Sequence, residues 1–184
     1  GPINGIPNYT SPISNVTITT STGTEDAVMS GHCVDTACND PAPGKLIGTY
    51  FTNWANYHSA STDQLYPSGL PLQSLNTVFY DVAKINPADE SVDFTDPNHD
   101  QYYIPGFQVL RQQYPYLNAI ISFGGWGSGS SMPSGDLTTI FTTDAGHNTL
   151  VKTLADNMVN TMLEYGFNGV DIDFEWTAPG AALN

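Results

Sequence analysis

Four short runs rich in β-branched and aromatic residues mark the chain from residue 45 onward: Leu46 to Thr52, Thr77 to Lys84, Leu117 to Phe123 and Phe167 to Glu175. They are largely apolar, as strands buried on both faces must be. Between the second and third runs, Tyr102 to Tyr114 carries Ile104, Phe107, Val109 and Leu110 among polar residues, which predicts a helix entered near Pro105. Between the third and fourth, Leu150, Leu154, Met158 and Met162 recur at spacing four within Asp144 to Tyr165. That spacing puts one apolar stripe on a long helix, with Asp144 as its N-cap and Gly166 as its stop. Strands that alternate with helices require crossover connections, hence β/α units and a parallel sheet.

Residues 1–44 follow a different pattern. Ile13 to Thr24 is rich in Thr with partial alternation and predicts one short strand, and Pro41-Ala42-Pro43-Gly44 interrupts regular structure. We therefore expect residues 1–44 to be an extension or the end of a preceding module. Two N-x-T sequons fall there, at Asn8 and Asn15. So do both cysteines, Cys33 and Cys38, which read as a small loop disulfide in a secreted chain, with two free thiols as the alternative. A zinc site with His32 lacks a fourth ligand. The N-terminus has neither the basic start nor the apolar stretch of a secretory signal, so either none was made or it was removed.

Charge narrows the partners. Eighteen Asp and Glu against four Lys and Arg give a net charge of −14 over 184 residues. Such a surface repels nucleic-acid phosphates and anionic membranes, whereas a neutral polysaccharide is compatible with it. No apolar run approaches the roughly 20 residues of a membrane helix. Few Lys among many Ser, Thr and Asn fit an extracellular location.

The chemistry concentrates at Asp171-Ile172-Asp173-Phe174-Glu175. On a strand, the three carboxylates share one face and Ile172 and Phe174 the other. Like charges this close cannot all ionise cheaply, so at least one carboxyl holds a proton near neutral pH, as general acid catalysis requires. The alternatives are a solvent-facing acidic strand end or a cation site. Ser122-Phe123-Gly124-Gly125-Trp126 closes the third run. Its paired glycines permit close approach of backbone or ligand, and Ser122 is placed to hydrogen-bond a carboxylate of the fourth strand if the strands are sequential neighbours. Trp54, Trp126 and Trp176 each follow a predicted strand, at the end where β/α barrels carry their active sites.

Ser122 to Gly125 followed by Asn168 to Glu175 (N-G-V-D-I-D-F-E) resembles the paired signatures of family 18 glycoside hydrolases, the chitinases: S-x-G-G on the third strand and D-x-x-D-x-D-x-E on the fourth. Gly48-Thr49-Tyr50-Phe51 with Trp54, and the strand around Tyr80, are similar to the family's first two strands. The resemblance implies an α/β fold, a (β/α)8 TIM barrel, of which residues 45–184 supply about the first four β/α units. It implies hydrolysis of β-1,4 bonds between N-acetylglucosamine units with retention of configuration and without metal or cofactor. The substrate's own acetamide oxygen is the nucleophile, an exception to the two-carboxylate scheme. Glu175 matches the proton donor, Asp173 the group orienting the acetamide, and Asp171 its proton-sharing partner, with Ser122 and Asn168 in support. Tyr50, Trp54, Tyr80, Gly124, Gly125, Trp126 and Trp176 are the implied substrate contacts.

Two positions depart from the pattern. Asn168 stands where the first Asp is usual, and we expect tuning rather than loss. Asp81 replaces a small or apolar residue and implies a polar contact in the barrel or a local difference in its strand. A complete barrel has eight strands and about 250 residues. The resemblance therefore implies a second chain or segment that completes it. The competing functions are an endo-β-N-acetylglucosaminidase acting on N-glycans and a non-catalytic glycan-binding or scaffold subunit on the same fold. The four histidines, His32, His58, His99 and His147, form no metal pattern and read as surface or loop residues. Asp93 to Asp100 lacks EF-hand spacing and reads as a solvated acidic loop.

Overall fold

The structure is a computed structural model that describes residues 16–20, 23–27, 40–58, 64–86, 88–125 and 149–173. Near the N-terminus, β1 (Val16–Thr20) pairs antiparallel with β2 (Gly23–Ala27). One strand was expected there. Two residues between the strands suffice for a hairpin, and Ser21-Thr22 is not one of the strong turn dipeptides.

The main sheet contains β3 (Gly48–Thr52), β4 (Thr77–Ile85), β5 (Val92–Phe94), β6 (Asn118–Gly124) and β7 (Gly169–Asp173). β3, β4, β6 and β7 are parallel and lie side by side in chain order. A doubly wound sheet would reverse its strand order at a switch point, whereas a barrel closes from an unreversed run. The four predicted strands are thus present as one portion of a (β/α)8 barrel. β5, which was not expected, pairs antiparallel with the end of β4. Its Val-Asp-Phe alternation is too short to stand out in sequence.

α1 (Pro97–Gln113) starts earlier than Pro105. The start signals are Asp96, whose side chain accepts from the Asn98 N–H, and Pro97 in the first turn. Pro105 lies inside the helix and deprives the Gln101 carbonyl of its partner, but Gln101 is on the exposed face, where water can replace the lost bond. The acidic stretch from Asp93 is therefore a strand end and a capped helix start, not a solvated loop. His99 accordingly lies on α1 and pairs with Asp96 at 2.8 Å.

α2 (Thr149–Glu164) buries Leu154 and Met158, with Leu150 and Met162 packed at the margin, as the stripe predicted. Gly166 ends it at φ +78°: its N–H donates to the Leu163 carbonyl and the Phe167 N–H donates to Met162. That is a Schellman cap, which favours glycine at the left-handed position. Asp144, His32, His147, Cys33, Cys38, Asn8 and Asn15 lie outside the described residues.

Side chains of α1 and α2 meet one face of the sheet in a single core. Phe51, Tyr80, Tyr103, Phe107 and Phe167 form its aromatic centre. Phe51 meets Tyr103 and Phe107 edge-on at 5.0 and 5.2 Å, and Tyr80 meets Phe107 at 5.4 Å. Such pairs contribute about 0.5–1.5 kcal/mol each beyond burial. With helices on that face, Tyr50, Phe79, Ser122, Asp171 and Asp173 are left to the other, the inner face of a barrel.

Candidate active site

Strand register brings the two signatures together. Ser122 lies opposite Asp171, and Gly124 opposite Asp173. The Ser122 hydroxyl donates to Asp171 Oδ2 at 2.7 Å, and the Tyr50 hydroxyl donates to the same oxygen at 3.2 Å. Ser122 is fully buried, so its donation is shielded from water, whereas Tyr50 is half-exposed. The Tyr50 ring stacks on Phe79, with centroids 4.8 Å apart. Burial, then the charge of Asp171, pushes the Tyr50 phenol up to about 12, so it remains a donor at any working pH. Burial also pushes the Asp173 carboxyl up, with the Asp171 charge adding to it. Part of the like-charge conflict foreseen in the motif is thus felt at Asp173, after the larger effect of its burial.

The glycine pair secures β7. Gly124 has φ +135°, and a Cβ there would sit 2.0 Å from the Asp173 carbonyl oxygen. Gly125, at φ +102°, donates its N–H to that oxygen at 2.8 Å. Close approach of backbone, one of the two readings of these glycines, is what this structure contains.

Other expected site residues are distributed differently. Trp54 is half-exposed just past β3, at the start of the 3-10 turn Ala55–Tyr57. Tyr80 is a correction. It is completely buried among core aromatics on the helix side, and its hydroxyl donates to Asp100. Neighbouring residues on a strand face opposite ways, so Phe79 against Tyr50 forces Tyr80 toward the helices. Asn168 precedes β7, at the opposite end from Asp173. Its Oδ1 accepts the Ala119 N–H at 2.8 Å, and its own N–H donates to the Ala119 carbonyl at 2.9 Å. It therefore fixes the register of β7 on β6. Asp81 pairs in register with Thr52, two residues beyond Phe79, where β4 becomes irregular on its β6 side. Its charge also bears on the Tyr50 phenol. Trp126, Glu175 and Trp176 lie outside the described residues.

A buried polar group beneath the strand ends was missed in sequence. Asp100 and Asn53 are 0 % and 2 % exposed, and Asn53 Nδ2 donates to Asp100 Oδ1 at 3.2 Å. The available signal was an Asp in the first turn of a helix opened by Asp96-Pro97.

Comparison with known proteins bears on the whole arrangement. An endochitinase of Brugia malayi is 26 % identical over 137 residues, which cover 72 % of this chain and 25 % of the relative. The crystal structure of a Trichuris suis chitinase superposes with a TM-score of 0.60 at 26 % identity, covering 72 % of this chain and 33 % of that one. Human YKL-39, described as a pseudo-chitinase with retained chitooligosaccharide binding, superposes with a TM-score of 0.55 at 19 % identity, covering 69 % of this chain and 32 % of its own, and shares the fold alone. The chain thus spans between a quarter and a third of the length of these proteins. The profile of the Glycosyl hydrolases family 18 matches residues 46–182, and the chain belongs to that family.

Proposed function

We propose that this chain carries the proton-donor and acetamide-binding half of a chitinase site, which hydrolyses β-1,4 bonds between N-acetylglucosamine units. The observation that carries the proposal is the shared inner-face position of Asp171 and Asp173, with Ser122 and Tyr50 both donating to Asp171 Oδ2. Two donors on one oxygen hold the Asp171 carboxyl in place beside Asp173. An adjacent Asp173 whose carboxyl is pushed upward is suited to hold a proton or to accept an N–H from the acetamide.

In the proposed reaction, Glu175 gives its proton to the glycosidic oxygen while the C1–O4 bond breaks. The acetamide oxygen forms a bond to C1, which closes a five-membered ring and spreads positive charge onto the acetamide nitrogen. Asp173 accepts the acetamide N–H and stabilises that charge. Water, deprotonated by Glu175, then opens the ring from the face the leaving group vacated. Two displacements at C1 retain its configuration. The remaining barrel strands, from a further segment or a second chain, would complete the substrate cleft. An extracellular location follows from the same proposal, because an insoluble polymer must be attacked where it lies.

The test is proton NMR of chitotetraose cleavage by the intact protein, recorded before the anomers equilibrate. Products that appear first as the β-anomer support the proposal. Products that appear first as the α-anomer contradict the retaining route. Binding without cleavage moves the protein to the non-catalytic glycan-binding class.

A further inference from the structure

We propose that Asp100 is a positioning residue of this site: through Asn53 it fixes the end of β3, and with it Trp54 and Tyr50, against β4. The inference deepens the chitinase proposal and takes its kinetic readout from it.

Three donors converge on the buried Asp100 carboxylate. The Tyr80 hydroxyl and Asn53 Nδ2 reach Oδ1, and the Asp96 N–H reaches Oδ2 at 2.7 Å. A buried carboxylate is costly unless such partners compensate it. Asn53 passes the constraint on. Its backbone N–H donates to the Asp81 carbonyl at 2.6 Å, and its Nδ2 also donates to Thr95 Oγ1 at 2.6 Å. Thr95 in turn donates to the Val82 carbonyl at 3.0 Å. The group therefore joins the end of β3, the irregular part of β4, the approach to α1 and the first turn of α1. These elements meet at the end of the sheet where Trp54 stands. Asn53 immediately precedes Trp54, and Tyr50 lies three residues upstream within β3. These bonds reach the Asp81 and Val82 carbonyls in the stretch where the β4 ladder to β6 skips from Tyr80 to Ala83: the Asn53 backbone N–H carries the β3–β4 pairing one residue further, and the Thr95 hydroxyl holds Val82. A group serving stability alone has no need to sit at this junction, and an apolar cluster would cost less.

Asp100→Asn puts an amide NH2 where an oxygen accepted, donor against donor, so at least one of the three contacts must open. In the intact protein, we would compare wild type and Asp100→Asn at a temperature where both are folded by circular dichroism. Trp54 emission is obtained by subtracting the spectrum of Trp54→Phe in each background. The expected result is a red shift and easier acrylamide quenching of Trp54, with kcat/KM on chitotetraose falling about fivefold or more, the size of one lost hydrogen bond. An unchanged Trp54 signal with unchanged kcat/KM, whatever happens to Tm, would overturn the inference. If wild type hydrolyses nothing, the Trp54 signal alone decides the positioning role and the chitinase proposal fails separately. If Asp100→Asn does not fold, Tyr80→Phe keeps the buried ring, removes one donor, and must move Trp54 in the same direction.

Discussion

Gly124 and Gly125 adopt similar backbone conformations beside the same residue, yet alanine should affect them differently. At Gly124, φ is +135° and a new Cβ would lie 2.0 Å from the Asp173 carbonyl oxygen and 2.7 Å from its carbon. The obstruction is neighbouring backbone, which no side-chain rotation can relieve. The conformational cost is about 1–3 kcal/mol, and forced overpacking adds about 1–3 kcal/mol more. At Gly125, φ is +102° but the nearest atom is Asp173 Oδ2 at 3.7 Å, an ordinary contact. Only the conformational cost applies there. Urea unfolding of the intact protein should therefore find Gly124→Ala less stable than Gly125→Ala by about 1–3 kcal/mol. Gly124→Ala must also displace the Asp173 peptide and should depress hydrolysis more. Equal destabilisation by the two substitutions would refute the claim that β6 and β7 are held at backbone contact beside the carboxylates.

Three further outcomes follow from the geometry. Ser122→Ala removes a buried bond to a charged acceptor and should cost about 1.5–3 kcal/mol in urea unfolding at neutral pH; Tyr50→Phe, longer and half-exposed, should cost about 1 kcal/mol or less. Asp100 is pushed up to about 6 by burial, so the folded state holds its proton more tightly than the unfolded one. Stability attributable to it is present below the unfolded value of about 3.9 and is lost as pH rises toward 6, by about 3 kcal/mol at most. The wild-type stability should fall across that window relative to Asp100→Asn, and parallel pH curves would contradict this. Leu154→Ala, in the core, should cost about 2–5 kcal/mol, whereas Leu163→Ala, on the exposed side of the same helix, should stay within about 0.5 kcal/mol in the same unfolding assay.

What the sequence disclosed depended on whether the signal was local. The Leu154–Met158 stripe, the Gly166 stop and the four apolar strands are short-range patterns, and each is present in the fold. The Ser122–Asp171 contact was also foreseeable, because sequential strands and a two-residue period leave few registers. Tyr80 follows strand alternation rather than motif similarity: with Phe79 stacked on Tyr50 on the inner face, Tyr80 points to the helices. Asp100 was misread for a different reason. An acid in a run of acids looks solvated, and the donors that make its burial tolerable, Tyr80 and Asn53, lie 20 and 47 residues away in sequence. β5 and the true start of α1 were hidden in the same stretch, where Asp96-Pro97 served as a helix cap rather than as a loop.

Catalysis of glycoside hydrolysis is proposed to rest on Asp171, Asp173 and Glu175. Its most direct test is release of reducing ends from chito-oligosaccharide by the intact protein beside Glu175→Gln. The expected result is cleavage by wild type and a loss of about a hundredfold or more in the variant, the usual scale for removing a general acid, with oligosaccharide binding retained. Equal activity in the two proteins would remove Glu175 from the chemistry, and no cleavage by wild type with binding intact would make this a glycan-binding member of its family.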